Sequence, residues 1–334
     1  MSHPRRVKVT SLAIVAFIGA VVGMSGGRVY AQVSAAATND LPNPYHPVEN
    51  WAQLPAGTEW GQVISVDPDG HGNVWVFHRK EPAILEFDSS GKLVNSFGTG
   101  FVQAHGMAID RSGNIWVTDA AAKDGKGQQV FEFSPKGKLL MTLGKAGVAG
   151  NGPDTFNGPS GVAVAPNGDI FVGDGHGVGT NARVVKFSKD GKFIKAWGKQ
   201  GSGPGEFDTL HSLAMDSKGR LFVADRGNSR IQIFDQDGKF IAEWKQFGRP
   251  SGIFISKDDT LYSVDSQSDE KINPGVKRGI RIGSAKDGAV KVFIPDLSTD
   301  PKIALAEGVS ADAQGDVYAA GVTSMALHKF VRSP

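Results

Sequence analysis

Two histidines stand in the same register of one chain. FVQAHGMAIDRSGNIWVTD begins at Phe101 and DTLHSLAMDSKGRLFVAD at Asp208. In each, a His precedes a short apolar run, a Gly-containing turn, a second apolar run and an Asp. The Asp follows the His by fourteen positions in both, His105 to Asp119 and His211 to Asp225. A neutral imidazole can ligate a metal through a ring nitrogen or carry a proton near neutral pH. A His can equally recur because its unit is duplicated, with the ring only satisfying buried backbone groups.

The elements that hold these residues repeat as well. GQVISVDPDGHGNVWVFH, AHGMAIDRSGNIWVTD, PSGVAVAPNGDIFVGD, LHSLAMDSKGRLFVAD, PSGIFISKDDTLYSVD and AEGVSADAQGDVYAAG follow one pattern. Between most copies lies a further hairpin signature: ILEFDSSGKLVNSFG, VFEFSPKGKLLMTLG, VVKFSKDGKFIKAWG and IQIFDQDGKFIAEW. Each unit therefore has about four short alternating strands joined by Gly-containing turns. Six units of 40 to 56 residues have the period of a propeller. Each blade buries its faces only against its neighbours, so the ring must close. The sequence thus predicts an all-β chain, a six-bladed β-propeller over residues 52–334, with the C-terminal segment completing a blade together with strands from near the mature N-terminus.

Inner strands of a propeller line its central channel, so equivalent positions form a ring. The His105 register reads Gln62, His105, Ser160, His211, Ser251 and Glu307. Blades 2, 4 and 6 offer His, His and Glu, related by an approximate three-fold axis. Two neutral imidazoles and a carboxylate converging at the channel mouth suit Zn²⁺ with an open position, and also non-haem Fe²⁺. Small or neutral residues on the other blades leave room for a substrate. Arg79 in VFHRK and Arg226 in VADRG share a second register, just after an inner hairpin, where a loop faces the mouth. A guanidinium can grip a carboxylate bidentately; a loop Arg can also simply be solvated, which is the reading for Arg183 and Arg230. His176 sits in the Gly-rich segment FVGDGHGVGTNARVVKFS. It can transfer protons, serve as a further ligand or stand idle in the loop. His78 is the next candidate; His71 and His328 read as turn and strand residues. No phosphate loop with Lys-Ser/Thr and no G-x-S-x-G elbow is present.

The repeats resemble NHL repeats, and the chain as a whole resembles the secreted peptidyl-α-hydroxyglycine α-amidating lyase family. VFHR, AHGMAID, FVGDG, GKFIKAWG, LHSLAMD and FVADRGNSRIQIF carry the resemblance over nearly all of the mature chain. It implies a six-bladed propeller whose zinc is held by three histidines, two of them matched by His105 and His211. The third is matched by Glu307, a departure. It further implies active-site arginines at Arg79 and Arg226 and a catalytic Tyr where this chain has His176. The family's structural calcium uses an Asp after the third His; Gly308 stands there, and calcium is not expected. The implied reaction cleaves a C-terminal α-hydroxyglycine into a peptide amide and glyoxylate. Two functions stay open on the sequence. One is a metal-dependent carbon–nitrogen lyase, its substrate drifted where the site departs from the family. The other is a non-catalytic propeller that binds a protein or small ligand at its channel mouth.

Composition bounds the remaining choices. The chain has 334 residues, 21% charged, with a formal net charge of +2, so no strong field points to nucleic acid. It has no Cys, which removes disulfides, thiolate metal sites and thiol nucleophiles. A basic start with Arg5, Arg6 and Lys8 precedes an almost wholly apolar or small run from Val9 to Met24, then Val29-Tyr30-Ala31. This reads as a secretory signal peptide over residues 1–31, with an uncleaved anchor as the alternative. Residues 32–51 read as a linker or N-terminal arm. The expected product is exported, periplasmic or secreted. It is a monomer with no membrane span in the mature chain, and it acts on a small-molecule or peptide substrate bearing a carboxylate.

Overall fold

The computed structural model describes residues 36–296, 298, 300, 302–304 and 306–333; the expected signal peptide lies outside them. Among the described residues there is no α-helix, and none long and apolar enough to cross a membrane. The strands form six antiparallel four-stranded sheets, one for each repeat of the sequence. The innermost strands are Val63–Pro68, Ala104–Ile109, Pro159–Val164, Leu210–Met215, Pro250–Ile255 and Gly308–Ala311. They surround one channel, which they line from end to end.

Apolar side chains drive the assembly at the junctions between blades. Trp116 and Val130 of blade 2 pack against Val172 and Phe187 of blade 3. Phe171 and Val184 of blade 3 meet Leu221 and Phe234 of blade 4. The same occurs at every junction, including that between blade 6 (Tyr318, Leu327) and blade 1 (Val76, Phe87). Six blades with six apolar junctions make a closed ring, and each fully buried Phe, Val or Leu contributes on the order of 1.5–3 kcal/mol.

Closure uses both ends of the chain, as the repeat pattern predicts. Blade 6 takes three strands from the C-terminal region, and its outermost strand is Tyr45–Val48, which pairs with Ala326–Arg332. The arm over residues 32–51 therefore contributes a strand and also Trp51, whose ring lies 5.2 Å from that of Tyr318. Lys329 caps both rings, at 5.2 and 5.3 Å from their centroids.

The Asp that follows each His by fourteen residues is a clamp for the backbone. Asp119 accepts hydrogen bonds from the N–H groups of Val102 and Gln103, just ahead of the His105 strand. Asp225 accepts from Asp208 N ahead of His211, Asp174 from Asn157 N, and Asp265 from Arg249 N. Arg183 and Arg230 belong to this framework too, which corrects the expectation that they are solvated. Arg230 is buried, with Nε on Asp225 Oδ2 at 2.8 Å and Nη1 on Glu243 Oε2 at 2.7 Å. Arg183 Nε pairs with Asp174 Oδ2 at 2.8 Å. The sequence hid this because a strand-end Arg looks the same whether it points to water or back onto its own blade.

Candidate metal centre at the channel mouth

The mouth residues sit on β-bulges. In blade 4, Leu210 pairs with Asp225 and Ser212 with Ala224, which leaves His211 as the extra residue. Ser160 and Ser251 occupy the same place in blades 3 and 5, and His105 lies in the corresponding irregularity of blade 2. A bulge re-aims a side chain that regular pleating would place on a sheet face; here it turns each one into the channel. In blade 1 the bulged residue is Ile64, between the pairs Val63–His78 and Ser65–Phe77. The ring position expected for Gln62 therefore belongs to Ile64. The blade 1 turn has the same length as that of blade 2, Pro68 pairing with Val74 as Ile109 pairs with Ile115; its turn Asp is Asp69 rather than Asp67, which moves the count by two, and Gln62 instead accepts a hydrogen bond from Arg79.

The residues after the bulges let the blades close in. A Cβ on Gly106 would lie 2.5 Å from Ser160 O and 2.9 Å from Gly161 Cα. That carbonyl is the partner of His105, so the small residue and the ring orientation are linked. Gly106→Ala is expected to push the strands apart, with a cost of about 1–3 kcal/mol typical of overpacking. It should also weaken metal binding; thermal melting and metal titration of the same sample check both.

His105 Nδ1 lies 2.7 Å from Ser160 O, and His211 Nδ1 lies 2.7 Å from Ser251 O. A carbonyl only accepts, so each Nδ1 carries the proton and each Nε2 presents a lone pair. Both Nε2 atoms are buried without a hydrogen-bond partner. His211 Nε2 is 3.2 Å from Glu307 Oε1; with the proton on Nδ1, two acceptors face each other, an arrangement that a cation between them relieves. His176 completes the group. Its ring centroid is 4.3 Å from that of His105 and 5.0 Å from that of His211. One ligand atom from each of the three rings lies within 4.8 Å of the others. Fixed tautomers, orphaned lone pairs and three nitrogens in reach of one point fit a divalent metal ion.

The loop brings His176 inward by its own hydrogen bonds. Gly175 N and His176 N both donate to Gly158 O, at 2.8 and 3.0 Å. Gly158 has φ +92°, and a Cβ there would lie 2.8 Å from His176 N, so this close approach requires glycine. Asn181 N donates to Asn157 O and closes the loop's far side.

A family model described as a 6-bladed β-propeller matches residues 156–262. Peptidyl-alpha-hydroxyglycine alpha-amidating lyase 2 of Drosophila melanogaster is 30% identical over 238 residues, 62% of this chain and 55% of that protein. Peptidyl-glycine alpha-amidating monooxygenase of Mus musculus is 38% identical over 202 residues, half of this chain. The chain is a six-bladed β-propeller, similar in part of its sequence to proteins named as amidating lyases. It covers only 20% of the length of the mouse protein. Among solved structures, streptogramin B lyase aligns with a TM-score of 0.59 at 18% identity, covering 86% of this chain and 98% of that one, a likeness of fold alone.

The propeller brings all six residues singled out in the sequence to one mouth, but groups them in its own way. The three imidazoles form the tight set. Glu307 stands beside them and joins His211 to Arg226, whose Nη1 donates to Glu307 Oε1 at 2.8 Å. Arg226 is itself held by Arg249, whose Nη1 donates to Arg226 O at 2.6 Å. Arg249 was missed because its role passes through a backbone carbonyl. Arg79 reaches in from blade 1, with Nε on Ala104 O at 3.0 Å and Nη1 on Gln62 Oε1 at 2.9 Å. His78 is spent on structure: Nε2 lies 2.9 Å from Pro82 O, and Nδ1 accepts from Gly61 N at 3.1 Å.

The electrostatics keep the rings neutral. Burial above all, then the neighbouring His176, holds His105 well below the ordinary imidazole value. Burial and then Arg226 do the same to His211 and push His176 down to about 4. Neutral imidazoles are the form that ligates metal.

Proposed function

We propose that the propeller is an exported, monomeric, metal-dependent lyase that splits a C-terminal α-hydroxyglycine into an amide and glyoxylate. The observation that carries this reading is the pair of buried, orphaned Nε2 lone pairs on His105 and His211, met by His176 and flanked by Glu307. The amidating-lyase relatives support the reaction class. His105, His176 and His211 would hold zinc, or iron in the same role, and the ion would lower the energy of a hydroxyl's deprotonated form.

The chain's own residues do the rest. Arg79, oriented by Ala104 O and Gln62, holds the substrate carboxylate. Arg226 fixes the Glu307 carboxylate at the edge of the histidine set. Glu307 takes the hydroxyl proton as the carbon–nitrogen bond breaks and the carbonyl of glyoxylate forms. The same proton returns to the departing nitrogen, so the products are a primary amide and glyoxylate with no other reactant.

The test is glyoxylate release from a peptide ending in α-hydroxyglycine, with purified mature chain loaded in turn with zinc and iron. Release that stops with chelator and returns with metal is expected. No release under any loading rejects the lyase and leaves a ligand-binding propeller.

A further inference from the structure

A second cavity of about 850 Å³ opens between the loops of blades 5 and 6. Its volume falls within the roughly 300–1,000 Å³ of sites that enclose drug-sized ligands. Glu307 lines both this cleft and the channel mouth, so the two spaces adjoin at the residue placed on the reacting bond. We propose that this cleft is a subsite for the acyl side of the substrate, and that it takes an extended peptide of several residues. The proposal rests on the reading of the mouth as the place where the hydroxyglycine end is bound.

With the carboxylate at Arg79 and the hydroxyl at the histidines, the substituent on the amide nitrogen leaves past Glu307. The cleft lies on that side. Its walls suit a peptide: Ile272 and Val276 offer apolar surface, while Glu270 and Lys302 bring both signs of charge. Ile272 is a large apolar side chain left 42% exposed, available to an incoming side chain.

The wall that carries Ile272 and Val276 is built, not incidental. Asn39 of the N-terminal arm lines the cleft and holds its blade 5 side. Its Nδ2 donates to Gly275 O at 2.9 Å, and its Oδ1 accepts from Lys277 N at 2.8 Å and from the buried Arg281 Nη2 at 3.1 Å. The arm thus closes the ring and also shapes the subsite.

The experiment titrates the zinc-loaded full chain with acetylglycine and with a tetrapeptide ending in glycine, by calorimetry. Neither carries the hydroxyl, so neither can react. The tetrapeptide is expected to bind at least ~10-fold more tightly, a step of about 1.4 kcal/mol. Ala304→Trp, which fills the cleft, and Ile272→Trp, at an exposed position, should each bring the tetrapeptide down toward acetylglycine. Circular dichroism confirms the fold of each variant. Equal affinities in the parent chain, or a peptide preference that survives both substitutions, overturns the subsite. Because the readout is binding, absence of glyoxylate release would reject the lyase chemistry without deciding this result.

Discussion

The His105→Ala/His211→Ala double variant is expected to purify without stoichiometric metal and to lose glyoxylate release by at least ~10³-fold, within the range seen when catalytic groups are removed. Each single variant should already lose most of the metal, because the remaining nitrogens cannot surround an ion. The fold should survive. Each alanine removes a ring whose Nδ1–H serves only one backbone carbonyl, and the alanine at 211 also relieves the lone-pair contact between His211 and Glu307. Metal content by elemental analysis and thermal melting, both on the same preparation, separate the two effects. A double variant that keeps one equivalent of metal would place the ion elsewhere and remove the histidine centre.

His176 gives the second large effect, and its sign depends on which role the ring plays. As a member of the nitrogen set, His176→Ala should weaken metal affinity by more than the about 10–100-fold that follows loss of a residue merely supporting a ligand, and cost on the order of 10²–10⁴-fold in rate at limiting metal. Excess metal should then recover a large part of that rate. If the ring only carries a proton, metal affinity stays put and added metal recovers nothing. His176→Tyr separates the roles further. It supplies the residue that the lyase resemblance implies at this point, so proton transfer would survive the change, whereas a nitrogen ligand would be lost. The expected result is metal-dependent rescue of both variants; rate loss at unchanged metal affinity would return His176 to the proton-transfer role.

The fold was legible because duplication writes the same instruction many times. Six copies of an alternating hairpin with Gly in its turns leave little choice but blades, and apolar junctions then require closure. The His105 and His211 placement was legible for the same reason. What escaped the sequence depended on geometry that the repeat pattern does not encode. Blade 1 carries Asp67 and Asp69 in VDPDG, and only the hydrogen bonds show that Asp69 is the turn residue, so the ring position falls to Ile64 and not to Gln62. His176 could be placed only by tracing its loop, which turns inward because two successive N–H groups share Gly158 O. Glu307 matched the ring register, but the pull of Arg226 on its carboxylate is a contact between blades 4 and 6 that lie far apart in sequence.

The joint between the chain's ends sets the order in which the molecule can form. His46 Nδ1 and Ser333 Oγ, 287 positions apart, lie 3.2 Å from each other at the seam. Such distant pairing comes late, because the entropy of bringing the ends together must be met before the contact rewards it. Blades 1 to 5 can each zip as local hairpins while the chain is being made. Blade 6 cannot, since its outer strand is among the first described residues to be synthesised and its partner among the last. Until that partner arrives the two rims stay unpaired, and the three imidazoles on blades 2, 3 and 4 have no blade 6 carboxylate beside them. A growing chain is therefore an open arc, and its last strand, Ala326–Arg332, closes the ring after the three imidazoles and Glu307 have all been made.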